Sequence, residues 1–227
     1  NKENLVKKSV VVNGKRKTVY ERVAKPVLPV VPPVMTAGDL AGLNMTRDPL
    51  ALASNVALVL DQSNATVLFE KNANVTLPIA SITKLMTALV VVESRQDMNE
   101  ILEVSNDDID REKNSSSRLR VGSRLSRANM LHIALMSSEN RAASALGRHY
   151  PGGLPAFVSA MNAKARELGM TGTHYVDSTG LSSQNVATAR DLAKLVTAAS
   201  RHPVLCQYST DTKYVVERSE EHTSELQ

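Results

Sequence analysis

Tryptophan is absent from this chain, phenylalanine occurs twice, and aromatic residues make up 3% of the total. Platforms for nucleic acid stack bases on aromatic side chains, so that class is set aside despite a net charge of +4. The single cysteine, Cys206, excludes an internal disulfide framework. No apolar run reaches the roughly 18 residues of a membrane-spanning helix. No secretory leader is visible; the chain opens with Asn1 rather than Met, and the expectation is that a leader has been removed. His132, His149, His174, His202 and His222 fall in no His-x-x-Glu-His or similar array of metal ligands. There is no internal repeat.

What is present divides unevenly. Lys2, Lys7, Lys8, Lys15, Arg16 and Lys17 concentrate the basic surplus at the N-terminus, which reads as a solvated arm. Residues 25–33 are proline-rich and read as an extended linker. Within the arm only Thr18-Val19-Tyr20 has the look of a short strand, and residues 1–49 are assigned no fold. The globular part is expected from Leu50 onward. Residues 55–61 and 65–70 are strand-like, with hairpin chemistry in Gln62-Ser63-Asn64. After Asp97 the chain reads as mainly helical. Residues 127–149 form helix interrupted around Ser137-Ser138-Glu139-Asn140, and 154–168 form a helix ending at Gly169. Thr188-Ala189-Arg190-Asp191 has the capping-box form and opens a helix to Ser200; residues 171–187 read as loop.

The chemistry-bearing stretch is Pro78-Ile79-Ala80-Ser81-Ile82-Thr83-Lys84, followed by an apolar helix pattern through Leu85, Met86, Leu89 and Val90. Residues three apart share a helix face, so the Ser81 hydroxyl and the Lys84 amine can meet. Burial disfavours the ammonium form, and a neutral amine can take a serine proton. The same pattern also fits an ordinary helix start. Ser138 and Asn140 flank the second break: a hydroxyl there can relay a proton, and an amide can hold both a lysine and a carbonyl. Equally, Ser and Asn commonly cap the next helix.

Taken together, Ser-x-x-Lys followed about 55 residues later by Ser-x-Asn resembles the penicillin-recognising serine enzymes. Within them the chain is similar to the low-molecular-mass D-alanyl-D-alanine peptidases, on its endopeptidase branch. The likeness runs through Ile79-Ala80-Ser81-Ile82-Thr83-Lys84-Leu85-Met86-Thr87, then Ala134-Leu135-Met136-Ser137-Ser138-Glu139-Asn140-Arg141-Ala142-Ala143. Tyr150-Pro151-Gly152-Gly153, Met161-Asn162-Ala163-Lys164-Ala165 and Thr179-Gly180-Leu181 continue it. It covers residues 50–217.

The resemblance implies a β-lactamase/transpeptidase-like α+β fold, an antiparallel sheet of five strands against a helical lobe. It implies Ser81 as acylated nucleophile, Lys84 as its base, Ser138 as proton relay and Asn140 as the residue that positions lysine and substrate. The Ser81 N–H would be one oxyanion donor. The implied partners are peptidoglycan peptide stems in the periplasm and β-lactams as covalent inhibitors; the resemblance implies no metal or other cofactor, with which the histidine pattern agrees. Cleavage of a D-alanyl cross-link and removal of a terminal D-alanine are both compatible with these motifs. A wall-binding protein without catalysis is the alternative of another class.

One family motif is missing. Neither Lys-Thr-Gly nor Lys-Ser-Gly occurs; Lys17-Thr18-Val19 and Lys213-Tyr214-Val215 lack the glycine that permits close backbone approach. The resemblance implies that this motif lies on a strand beyond the Thr188 helix. There the motif strand holds the substrate carboxylate, and the residue after the motif gives the second oxyanion donor. Residues 218–227 are polar, lack strand alternation and resemble a translated sequencing adapter, so they are expected to be a non-native tail. The expectation is a catalytic domain at 50–217 without its last three strands and closing helix, and an inactive chain.

Overall fold

The computed structural model describes residues 5–12, 15–22, 34–111, 113 and 117–211. The chain forms two compact units, 1–35 and 36–227. The proline-rich 25–33 segment and the 218–227 tail lie outside the described residues.

The first unit pairs β1 (Leu5–Val12) with β2 (Lys15–Arg22) in antiparallel register, from Leu5 opposite Arg22 to Val12 opposite Lys15. This exceeds the short strand expected around Thr18-Val19-Tyr20.

The second unit opens with a short helix, α1 (Ala37–Leu40), closed by a reciprocal capping box between Thr36 and Asp39. The expected hairpin follows as β3 (Ala57–Leu60) and β4 (Val67–Lys71), with a register shift between Val59 and Leu60. β5 (Leu77–Pro78) leads into a 3-10 turn over Ala80–Ile82 and then α2 (Thr83–Glu93). Thr83, Lys84 and Met86 to Val91 are all buried, so α2 is the central helix of the core. A helix buried nearly all round needs neighbours on most sides. α3 (Arg127–Met136), α4 (Asn140–Arg148), α5 (Gly153–Glu167) and α6 (Ala189–Ala199) supply them. Met86, Leu89, Met130, Leu131, Leu146, Phe157 and Met161 are at most 1% exposed and fill the space between these helices. At about 1.5–3 kcal/mol for each large apolar side chain buried, this cluster is the main stabilising element of the unit.

The mainly helical expectation after Asp97 holds for the described residues, with one addition. β6 (Ile101–Glu103) and β7 (Arg124–Ser126) pair antiparallel, with a 3-10 turn over Asn106–Asp108 between them in sequence. Three-residue strands are too short for their alternation to stand out in sequence. The expected break falls where anticipated: α3 ends at Met136 and α4 begins at Asn140. α5 ends in a Schellman motif, with Gly169 at φ 68°, Gly169 N–H donating to Arg166 O and Met170 N–H to Ala165 O. β8 (Val186–Ala187) pairs with β5 ahead of α6, whose N-cap Thr188 accepts from Asp191 N–H. α7 (Pro203–Thr210) packs on α3, where the His132 ring stacks on Tyr208 at 4.1 Å. No described helix is long and apolar enough to cross a membrane.

Candidate active site

Ser81 lies in the 3-10 turn just ahead of α2 rather than within the α-helix, and its side chain is exposed. Ala80 takes a φ of 45°, a left-handed conformation uncommon outside glycine, so the backbone turns sharply into Ser81. Lys84, one helical turn on, is 3% exposed. Its Nζ donates to Asn140 Oδ1 at 2.7 Å and to the Thr179 carbonyl at 2.8 Å. Burial lowers the Lys84 pKa to about 8, while the Asp177 and Glu139 carboxylates pull it upward. A substantial neutral fraction therefore exists near physiological pH, held by one amide and one carbonyl. Among the described residues the Ser81 hydroxyl makes no hydrogen bond.

The Ser-x-Asn break brings Asn140 to Lys84 through the connection between α3 and α4. Ser138 is exposed and has φ 53°. The cap of α4 is neither Ser138 nor Asn140 but Glu139, which accepts from Arg141 N–H. Glu139 is 8% exposed and also accepts from the Ser117 hydroxyl and, at 3.3 Å, from Arg118 N–H. With Glu139 doing the capping, the side chains on either side are left for other contacts.

Sequence reasoning assigned no role to the segment after α5. Thr179 supplies a carbonyl ligand to Lys84, and Thr87 Oγ1 donates to the Ser178 carbonyl at 2.7 Å. Ser178 Oγ in turn donates to Ala143 O at 2.9 Å, tying the segment to α4. Gly180, at φ 84°, lies so close to the Ala80 carbonyl that a Cβ there would collide with it. A backbone carbonyl has no sequence signature; the signal available was the Thr179-Gly180-Leu181 block of the family likeness, with its glycine. A cleft of about 430 Å³ adjoins this loop, lined in part by Asp107, Asp110, Leu154, Thr179 and Leu181. Neither this cleft nor a larger cavity of about 530 Å³ between Ser159, Arg166 and His174 is lined by Ser81, Lys84, Ser138 or Asn140.

A buried lysine with a lowered pKa, one turn after an exposed serine, can serve proton abstraction in acyl transfer. The sequence pattern of the D-alanyl-D-alanine carboxypeptidase family matches residues 43–226, and the chain belongs to that family. It is similar to a D-alanyl-D-alanine endopeptidase of Pseudomonas aeruginosa, 51% identical over 78% of this chain and 56% of the relative. Among solved structures it is similar to the Streptomyces K15 DD-transpeptidase, with TM-score 0.61 and 27% identity, covering 65% of this chain and 60% of that one. It is also similar to cefotaxime-bound penicillin-binding protein D2 of Listeria monocytogenes, with TM-score 0.60 and 30% identity over 69% and 66%. The fold is thus that of the penicillin-binding DD-peptidases. The chain spans about half the length of the curated relatives it matches.

Proposed function

We propose that this protein is a serine D-alanyl-D-alanine endopeptidase that opens peptidoglycan cross-links through an acyl-enzyme on Ser81. The observation that carries the reading is Lys84: buried, held by Asn140 and Thr179, and partly neutral near pH 8. In this reading the Ser81 hydroxyl attacks the D-alanyl carbonyl while Lys84 takes its proton. Collapse of the tetrahedral intermediate breaks the amide, and Ser138 passes a proton to the leaving amine. Water then cleaves the ester and regenerates Ser81. Asn140 holds Lys84 and receives the substrate amide. No metal enters this scheme.

Two names support the choice of substrate: the Pseudomonas aeruginosa relative is an endopeptidase, and the family description is a carboxypeptidase. The endopeptidase reading follows the more similar relative. It places the protein in the periplasm, at the wall. β-Lactams are expected to acylate Ser81, in keeping with the cefotaxime-bound structural relative.

The test is peptide mass spectrometry after exposure to a penicillin. A covalent adduct on Ser81, lost in Ser81→Ala, is expected. No label on this chain or on the chain extended by the C-terminal segment of the Pseudomonas aeruginosa relative, or labelling that survives the substitution, would sink the reading in favour of a non-catalytic wall-binding role. Digestion of cross-linked and uncross-linked muropeptides then separates the two peptidase activities: release of terminal D-alanine alone would make it a carboxypeptidase.

A further inference from the structure

Nothing in the mechanism above uses Asp177, yet it is the most heavily hydrogen-bonded carboxylate near Lys84. Its Oδ1 accepts from Thr179 N–H at 2.8 Å, Thr179 Oγ1 at 3.1 Å and Gly180 N–H at 2.6 Å; its Oδ2 accepts from Ser182 N–H at 2.9 Å. The loop from 177 to 182 is therefore wrapped around one side chain. Two points of that loop bear on the site. The Thr179 carbonyl accepts from Lys84, and Gly180 abuts the carbonyl of Ala80, the residue preceding Ser81. Three backbone N–H groups aimed at a single carboxylate fix a loop far more tightly than turn propensity alone, since charge-assisted hydrogen bonds are roughly twice as strong as neutral ones.

We propose that Asp177 is a positioning residue of the Ser81–Lys84 site: its carboxylate shapes the loop that holds the Lys84 amine on one side and supports the Ser81 turn on the other. The assignment rests on the acyl-transfer reading above and deepens it. Asp177 has a second effect by charge. It and Glu139, at the N-cap of α4, are the two anions that offset the burial of Lys84. They act from different elements and with different local duties, because Glu139 fastens the Ser117–Arg118 segment and Asp177 fastens the 177–182 loop. Charge and geometry can therefore be separated by substitution.

Asp177→Asn keeps Oδ1 for the Thr179 and Gly180 N–H groups, removes the charge and sets an amide NH2 against the Ser182 N–H that Oδ2 accepts from. Asp177→Ala removes both. Glu139→Gln removes the other charge and leaves the 177–182 loop intact. Two readouts on the 227-residue chain are needed. One is the titration of Lys84, followed by NMR of ¹³C-methylated lysines; the other is the rate of penicillin acylation against pH, followed by intact mass. Lys84 is expected to titrate at lower pH in both Asp177→Asn and Glu139→Gln, and the pH profile of acylation should move the same way. Asp177→Ala should in addition lower the plateau rate by about 10–100-fold, the scale of a misplaced catalytic group. It should also lose protection of the Thr179 and Gly180 amides in hydrogen exchange, whereas Glu139→Gln keeps both. If Asp177→Ala fails to fold, Asp177→Asn carries the decision, because the loop bonds to Oδ1 persist in it. Unchanged protection of the Thr179 and Gly180 amides with an unchanged plateau rate in Asp177→Ala, or, should that variant not fold, unchanged protection of the Ser182 amide with an unchanged Lys84 titration in Asp177→Asn, would overturn the assignment even if Ser81 acylates normally. Absence of acylation both in the unsubstituted chain and in the chain extended by the C-terminal segment of the Pseudomonas aeruginosa relative, with the titration shifts present, would instead remove the catalytic reading and leave Asp177 as the organiser of this loop.

Discussion

Lys84 is subject to two opposed demands. The core position that lets it reach both Asn140 and Thr179 also strips its charge of water, and the same desolvation prepares it as a base. The pH dependence of stability follows. With a folded pKa near 8 and an unfolded value of 10.5, the unfolded chain binds more protons between those pH values. Stability is therefore expected to rise with pH from about 8 toward 10.5, and to be insensitive to this group below 8. Lys84→Met, similar in length and without charge, should remove that rise and should be no less stable than the parent at pH 7. Acylation should fall by about 10²–10⁴-fold, the usual contribution of a general base. Urea titrations at several pH values check the first claim and penicillin labelling the second. A Lys84→Met variant that labels at the parental rate would dismiss lysine as the base. For the unsubstituted chain, labelling should accelerate with rising pH through about 8 as the amine loses its proton.

At the level of elements, the site depends on a loop and a turn meeting backbone to backbone. Gly180 and Gly122 share a φ of 84°, but only Gly180 has a carbonyl where its Cβ would stand; Gly122 has nothing within 4 Å. Gly122→Ala thus reports backbone strain alone, about 1–3 kcal/mol. Gly180→Ala should cost clearly more, and should slow acylation by pushing the Ala80–Ser81 turn. Equal losses in the two variants, by denaturant unfolding, would show that the contact with Ala80 carries no energetic weight. The helices of this arrangement were legible in the sequence because apolar spacing and end signals agreed, as with α5 and its Gly169 cap or α6 and Thr188. The break at Ser138 was equally plain, and it correctly marked where Asn140 approaches Lys84. Other parts left weaker traces. The β6–β7 pair joins two short segments far apart in the chain. The Thr179 carbonyl acts through the main chain, and Asp177 acts through the N–H groups of its neighbours, so neither presents a residue type that would distinguish it from an ordinary loop.

For the whole molecule the imbalance lies between a well-packed helical core and a thin sheet. β3 and β4 pair only with each other among the described residues, and a two-stranded hairpin is marginally stable by itself. Leu68 is 65% exposed and Val59 48%, so apolar side chains stand in water along both strands. The hairpin is held to the rest through contacts of β3 with α6, a buried ion pair of Lys71 with Asp48 at 3.3 Å, a hydrogen bond from Lys71 to the Leu52 carbonyl, and an exposed ion pair between Arg190 and Glu70. Exposed ion pairs contribute little, about 0–1 kcal/mol. The sequence also contains no Lys-Thr-Gly, whose strand in the family supplies an oxyanion donor beside the nucleophile. Loss of one such donor costs about 10²–10³ in rate. The 227-residue chain is therefore expected to acylate slowly, to bind a hydrophobic dye in its native state and to melt with low cooperativity. Appending the C-terminal segment of the Pseudomonas aeruginosa relative should raise the melting temperature, suppress dye binding and accelerate acylation by at least about 10²-fold. Each side chain of the hairpin that becomes covered adds about 25 cal/mol per Å² of apolar surface. Calorimetry and labelling of the two proteins side by side decide the matter. If the shorter chain melts cooperatively and acylates as fast as the extended one, the hairpin is sufficient as it stands and the core around α2 holds Ser81 and Lys84 without further strands.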